Sequence, residues 1–264
     1  MMHAIRLTSR LTLFILFLLL TAGIAVGVRS VEKSRGKAVD RSPWARFCFG
    51  GAARCLGFRV RHHGRVAKGP VLFVSNHISW SDIPILGGTA PLRFLSKAEV
   101  ARWPVIGWLA VQAGTLFIQR GGGRANQSRT DIRNALEAGQ SVLVFPEGTT
   151  TVGITVLPFH GRLLSAALEA SVPIQPVSIG YRRNSRPDHL APFIGDDGFH
   201  SHLIRMLKQP AVEVSLVFHE PVRATAKETI SDLADRLQET VADGLADIHR
   251  GGSEPSSSSL ASLT

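Results

Sequence analysis

Cysteine is nearly absent from this 264-residue chain, with Cys48 and Cys55 its two representatives. That excludes a disulfide-dense scaffold and any four-cysteine zinc module, and a reducing compartment is the simpler setting. Charged residues are also sparse, at 19% against 44% hydrophobic, which is too apolar for a disordered chain. No internal repeat is visible, and no G-x-S-x-G run offers a serine nucleophile, so Ser75, Ser79 and Ser81 read as local backbone bonders. His62-His63 and His200-x-His202 lack a carboxylate or cysteine set that would complete a metal site, and no metal is expected. Acids are the scarcer charge. Thirty Lys and Arg against twenty Asp and Glu leave +10, which calls for an anionic partner.

What the chain does have is one long hydrophobic run. Residues 11–28 carry no charge over eighteen positions, and as a helix they reach about 27 Å against a hydrocarbon core of about 30 Å. A cleaved signal peptide is the competing reading, but the run is longer than an h-region and ends directly on Arg29. Residues 1–28 are therefore expected to be an uncleaved transmembrane anchor. Arg6 and Arg10 precede the run, whereas Arg29, Lys33, Arg35, Lys37, Arg41 and Arg46 follow it closely. The positive-inside rule then puts the remainder on the cytoplasmic side of the inner membrane, as a single-pass protein. From Arg29 to Lys68 eleven basic residues face two acids. Residues 29–69 are expected to lie on the anionic membrane surface, with Trp44, Phe47 and Phe49 as an interfacial patch. Basic charge directly after a membrane run argues against nucleic acid as the partner.

Beyond residue 70, short apolar runs alternate with longer helical patterns. Strands are expected at 71–75, 93–96, 115–119, 142–145, 174–180 and 212–218, and helices at 124–138, 162–170 and 225–249. The last helix repeats Leu233, Leu237, Val241 and Leu245, with acids on its other faces. The expected fold is α/β, a mixed or largely parallel sheet flanked by helices, spanning 70–250. The serine-rich segment 251–264 has nothing to bury and reads as a disordered tail.

Four runs can carry chemistry. The first strand leads into Asn76-His77-Ile78-Ser79-Trp80-Ser81-Asp82, so that Asp82 can hold one imidazole nitrogen and leave the other facing a substrate as a general base. Residues 114–120 form a strand ending in Arg120, a natural phosphate ligand. Phe145-Pro146-Glu147-Gly148-Thr149-Thr150 makes a tight turn after a strand, with hydroxyls and N–H groups for an anion or hydroxyl. Val172-Pro173-Ile174-Gln175-Pro176 enters a buried strand.

In this order and spacing the runs resemble the glycerolipid acyltransferase family, best known for 1-acylglycerol-3-phosphate acyltransferases. His77 and Asp82 match its NHxxxxD block, and Gly114, Phe117, Ile118 and Arg120 its GxxFIxR block. Residues 145–149 match FPEGT, residues 172–176 match VPIxP, and Lys97, Pro104 and Gly107 fit the intervening segment. The resemblance implies direct acyl transfer from acyl-CoA or acyl carrier protein to a lyso-lipid hydroxyl, with no further cofactor. His77 and Asp82 would be catalytic. Asn76, Lys97, Arg120, Glu147, Gly148, Thr149 and Thr150 would contact substrate.

One departure bears on the acceptor. Many members follow FPEGT with an arginine associated with the acceptor phosphate, and here that position is Thr150. Thr150 and the following Leu157-Pro158-Phe159-His160 are similar to relatives that acylate lyso-ornithine lipid. With Arg162 nearby as a substitute cation, 1-acylglycerol-3-phosphate remains the first expected acceptor and lyso-ornithine lipid the second. A lipid hydrolase, a thioesterase or a non-catalytic lipid binder are the rivals from other classes. The apolar stretch 103–118 is read as a core or membrane-dipping segment that helps hold the acyl chain.

Overall fold

The computed structural model describes residues 1–118, 125–225 and 227–251. Arg120 and the tail beyond Gly251 lie outside the described residues. In chain order the elements are α1 (Met2–Arg35), α2 (Ser42–Cys55), β1 (Phe58–His63), β2 (Leu72–Ser75), α3 (Asp82–Thr89), β3 (Arg93–Lys97), α4 (Ile106–Gln112) and β4 (Leu116–Ile118). These are followed by α5 (Ala125–Glu137), β5 (Val142–Val144), α6 (Ser165–Glu169), β6 (Ile174–Arg183), β7 (Arg186–Pro187), α7 (Phe199–Lys208), β8 (Val212–Phe218) and α8 (Ile230–Arg250).

The sheet runs β1-β8-β6-β2-β5-β3-β4, with β7 returning onto β6. Along that path β6–β8 pair antiparallel and the other neighbours pair parallel. This is the mixed, mostly parallel α/β sheet expected from the alternation of strands and helices. Helices cover both faces, which is why the central strands read as unbroken apolar runs. Strand pleating divides the core: Phe73 joins Ile85, Leu86, Met206 and Leu207 on one face, while Leu72 and Val74 join Ile132, Leu136, Leu233 and Leu237 on the other.

Helix α8 buries Leu233, Leu237, Val241 and Leu245 as their spacing required. It starts at Ile230 rather than 225 because Thr229 and Asp232 close a capping box there, a feature that stabilises a helix start by about 1 kcal/mol. The expected helix 162–170 is instead a turn of 3-10 helix at Gly161–Leu163 followed by α6.

The N-terminal third departs most from expectation. Helix α1 extends to Arg35, and at 34 residues it is long and apolar enough to cross a membrane. One face of it packs on the domain. Leu7 and Phe14 touch the core, Phe17 meets Phe47 with tilted rings 5.8 Å apart, and Thr21 is buried. Arg10 donates to the carbonyls of Leu207 (3.4 Å) and Gln209 (2.7 Å) at the end of α7, and Arg41 donates to Glu32. The other face exposes Leu13, Ile15, Leu16, Leu19, Leu20 and Val26, an apolar stripe of the kind that belongs against hydrocarbon.

The 29–69 stretch, expected on the membrane surface, also supplies the sheet's edge. Strand β1 pairs with β8 from Phe58↔Val212 to His63↔Val217. Its Arg59 and Arg61 point outward while Phe58 is buried, so its charge hid its alternation. Trp44 and Phe47 of the expected interfacial patch are exposed. Phe49 is not part of that patch; it turns inward onto Phe94, edge to face at 5.6 Å.

Candidate active site

Strand β2 ends at Ser75, and the next residue fixes where the chain goes. The Asn76 amide donates to the carbonyl of Ile179 and accepts from its N–H, both at 2.9 Å. A side chain thus continues the β2–β6 pairing by one step. Asn76 is fully buried, so the residue expected to contact substrate instead aims the following turn.

His77 is gripped from several directions. Its N–H donates to Glu147 Oε1 at 2.6 Å, its carbonyl accepts from the Thr151 N–H at 2.9 Å, and its ring stacks on Phe145 at 3.9 Å and 11°. Its Nδ1 lies 2.7 Å from Asp82 Oδ2. A carboxylate accepts, so Nδ1 carries a proton, and in the neutral ring Nε2 is the nitrogen with the lone pair. The imidazole is 21% exposed and Asp82 0%, which leaves the ring edge as the open part of the pair. Asp82 Oδ2 also accepts from the N–H groups of Ile78 (2.8 Å) and Ser79 (3.0 Å). Its Oδ1 accepts from the hydroxyl of Tyr181, a residue beyond the VPIxP run that its motif context did not single out.

Glu147 is a strut. Its second oxygen accepts from the Leu157 N–H at 2.8 Å, so the carboxylate ties the turn to His77 and to the following loop. Burial pushes its carboxyl above the usual range, against those two N–H bonds. Gly148 has φ +70°, the left-handed conformation that a side chain resists. Gly148 and Thr149 are both exposed, which makes them the open positions of the FPEGTT turn. Thr150 donates to the carbonyl of Phe193, so its hydroxyl binds a neighbouring loop.

Lys97 is exposed at the end of β3, in register with Ile118 of β4. Gly114 takes φ +75°, and a Cβ there would come within 3.0 Å of the Arg93 guanidinium. Arg162 lines a groove with Arg129, Ser165 and Ser231, two residues beyond His160, whose N–H donates to the Pro146 carbonyl of the FPEGT turn at 3.0 Å. Among the described residues, no cluster of three or more His, Cys, Asp and Glu side chains converges as a metal site would require.

An apolar cavity of about 320 Å³ is lined by Trp80, Ile83 and Pro84, three to seven residues after His77 in the chain. It continues between Phe14 and Leu18 of α1, Cys48 and Ala52 of α2, and Leu109 and Ala110 of α4. The stretch 103–118 helps wall it, through Trp103, Ile106 and Ala113. The residues that follow His77 in the chain thus help line a slot suited to an alkyl chain.

The site therefore offers an imidazole paired with a buried carboxylate at a strand end, in a fold that also holds an apolar slot. Residues 58–180 match the family model described as Acyltransferase. The chain is 43% identical over 242 residues to the lyso-ornithine lipid O-acyltransferase of Pseudomonas aeruginosa, covering 91% of this chain and 93% of that one. It is 30% identical over 203 residues to the 1-acyl-sn-glycerol-3-phosphate acyltransferase of Neisseria gonorrhoeae, covering 74% and 77%. The crystal structure of the Thermotoga maritima 1-acyl-sn-glycerophosphate acyltransferase superposes with a TM-score of 0.62, over 92% of this chain and 97% of that one. At 23% identity that likeness speaks for the fold. The chain belongs to the acyltransferase family, and it is an acyl-transferring enzyme of lipid metabolism.

Proposed function

We propose that this enzyme moves a fatty acyl group from an acyl thioester to the free hydroxyl of a lyso-lipid, with lyso-ornithine lipid preferred over 1-acylglycerol-3-phosphate. The order of acceptors expected from the motifs alone is thereby reversed. Position 150 carries the preference. Thr150 stands where a phosphate-associated arginine would follow FPEGT, and its hydroxyl is engaged with Phe193. Arg162, the substitute cation, lines a groove whose residues include neither His77 nor Thr150. The 43% identity to the Pseudomonas enzyme supports the same reading.

In the reaction, His77 Nε2 takes the hydroxyl proton as the alcohol oxygen attacks the thioester carbonyl. Asp82 stabilises the imidazolium that forms. The tetrahedral intermediate collapses, the C–S bond breaks, and the imidazolium returns its proton to the departing thiolate. No acyl-enzyme is needed. The donor is acyl-CoA or acyl carrier protein, with the alkyl chain in the cavity behind Trp80. Lys97, Arg120, Gly148 and Thr149 remain the candidates for contact with substrate. Helix α1 anchors the protein in the inner membrane with the domain on the cytoplasmic side, supported by the basic excess that follows the apolar run.

The test is a panel of lyso-lipids offered with labelled acyl thioester to membranes containing the protein, with products identified. Faster acylation of lyso-ornithine lipid than of 1-acylglycerol-3-phosphate is expected. The reverse order, or release of free fatty acid alone, would overturn the assignment.

A further inference from the structure

Behind the His77–Asp82 pair lies a third group. Asp82 is completely buried and its two oxygens are unequally served. Oδ2 takes His77 and two backbone N–H groups. Oδ1 accepts from the phenol of Tyr181 at 2.5 Å. Tyr181 is 2% exposed toward the C-terminal end of β6, 99 residues along the chain from Asp82, with its ring packed edge to face on Phe58. Its hydroxyl has one more neighbour, Ser81 Oγ at 2.9 Å.

Proton bookkeeping fixes the direction of every bond. Asp82 can only accept, so the phenol must donate to it. The phenol oxygen is then left as an acceptor, and the Ser81 hydroxyl donates to it. Ser81, Tyr181 and Asp82 form a one-way chain that ends opposite the His77 Nδ1 proton. Burial, then the charge of Asp82, pushes the phenol well above its ordinary range, so it remains a donor at any working pH. The other ionisable groups facing this assembly are Glu147, held by two N–H bonds, and Asp188, paired with Arg183. Neither bonds the phenol.

We propose that Tyr181 is a positioning residue for acyl transfer: its phenol holds Asp82 Oδ1 so that Oδ2 stays aligned on His77, and it draws carboxylate charge away from the imidazole. This rests on the reading of His77 as the base. A charged hydrogen bond of this kind is worth about tenfold or more in an equilibrium or rate. Losing it leaves more charge on Oδ2, favours the imidazolium, and moves the acid limb of the kcat/KM profile to higher pH.

The chain contains a single tyrosine, so replacing all tyrosine with 3-fluorotyrosine during expression alters one position. The fluorinated phenol is a stronger donor and should move the acid limb to lower pH. Tyr181→Phe should move it to higher pH and lower kcat about tenfold, with KM for the lyso-lipid little changed. A structural role alone predicts no such opposed pair of shifts. A fluorotyrosine enzyme whose pH profile superimposes on that of the unlabelled protein would overturn the proposal, even if the Phe variant does not fold. Assaying His77→Ala alongside separates the two claims. Activity in His77→Ala removes the base itself, whereas an inactive His77→Ala with unmoved tyrosine profiles removes only the role of Tyr181.

Discussion

The motif end of the sheet and the wall formed by α1, α2 and α4 are built on opposite principles. At the motif end, side chains of Asn76, Asp82 and Glu147 are buried and spent on named backbone or side-chain partners. Each aims a turn, and His77 emerges as the part with an open edge. Along α1, the contacts to the domain are mostly apolar and the outer face is an exposed apolar stripe. Polar bonds, which are directional, hold a reacting atom in place, whereas apolar packing, which is not, yields a slot tolerant of an alkyl chain and a face that suits a bilayer. The enzyme is divided as its substrates are, with a polar end and a greasy end.

Changes at the polar end should act on rate. Asp82→Asn keeps the shape of the side chain while removing the charge that stabilises the imidazolium, and kcat should fall about 10³–10⁴-fold, measured as labelled product per minute. Changes along the wall should act on location and selectivity. Leu16 and Leu19 face outward, so Leu16→Asp with Leu19→Asp should weaken membrane association by roughly 1–3 kcal/mol per site, read by vesicle flotation, with the melting temperature nearly unchanged. Ala110→Phe fills part of the cavity, and each methylene displaced from it loses about 0.8 kcal/mol. Its preferred donor should therefore be shorter, with turnover on short chains retained.

The smallest effect is on pH stability. His202 accepts the Trp80 indole N–H at 3.0 Å on Nδ1 and meets the carbonyl of Pro192 through Nε2 at 3.1 Å. Burial, then nearby Arg205, lowers its pKa in the folded protein. A depressed folded pKa means that stability is intact above the unfolded value of about 6.5 and is lost as pH falls toward the folded value. Thermal melts should drop between neutral pH and pH 5, and His202→Gln should flatten part of that slope. His219, likewise lowered by burial, keeps the rest.

How much of this was legible in the sequence follows from the same division. His77 and Asp82 announce themselves because five-residue spacing across a strand end already brings an imidazole to a carboxylate. The core strands are legible because burial on both faces makes them uniformly apolar. Tyr181 and Asn76 were not legible in their roles, since their partners, Asp82 and Ile179, lie about a hundred residues away in sequence and are met only through the sheet order β6-β2. Strand β1 was obscured by arginines that an edge strand can turn to solvent. Thr150 is legible as an exception to the FPEGT-Arg pattern, whereas its bond to Phe193 is visible only in the fold.

The central claim is that one imidazole nitrogen takes the acceptor proton, and His77→Ala tests it most directly. Purified into vesicles and given labelled acyl thioester and lyso-lipid, that variant should stay membrane-bound and folded yet form no acylated lipid above background. Product at the wild-type rate would contradict the account.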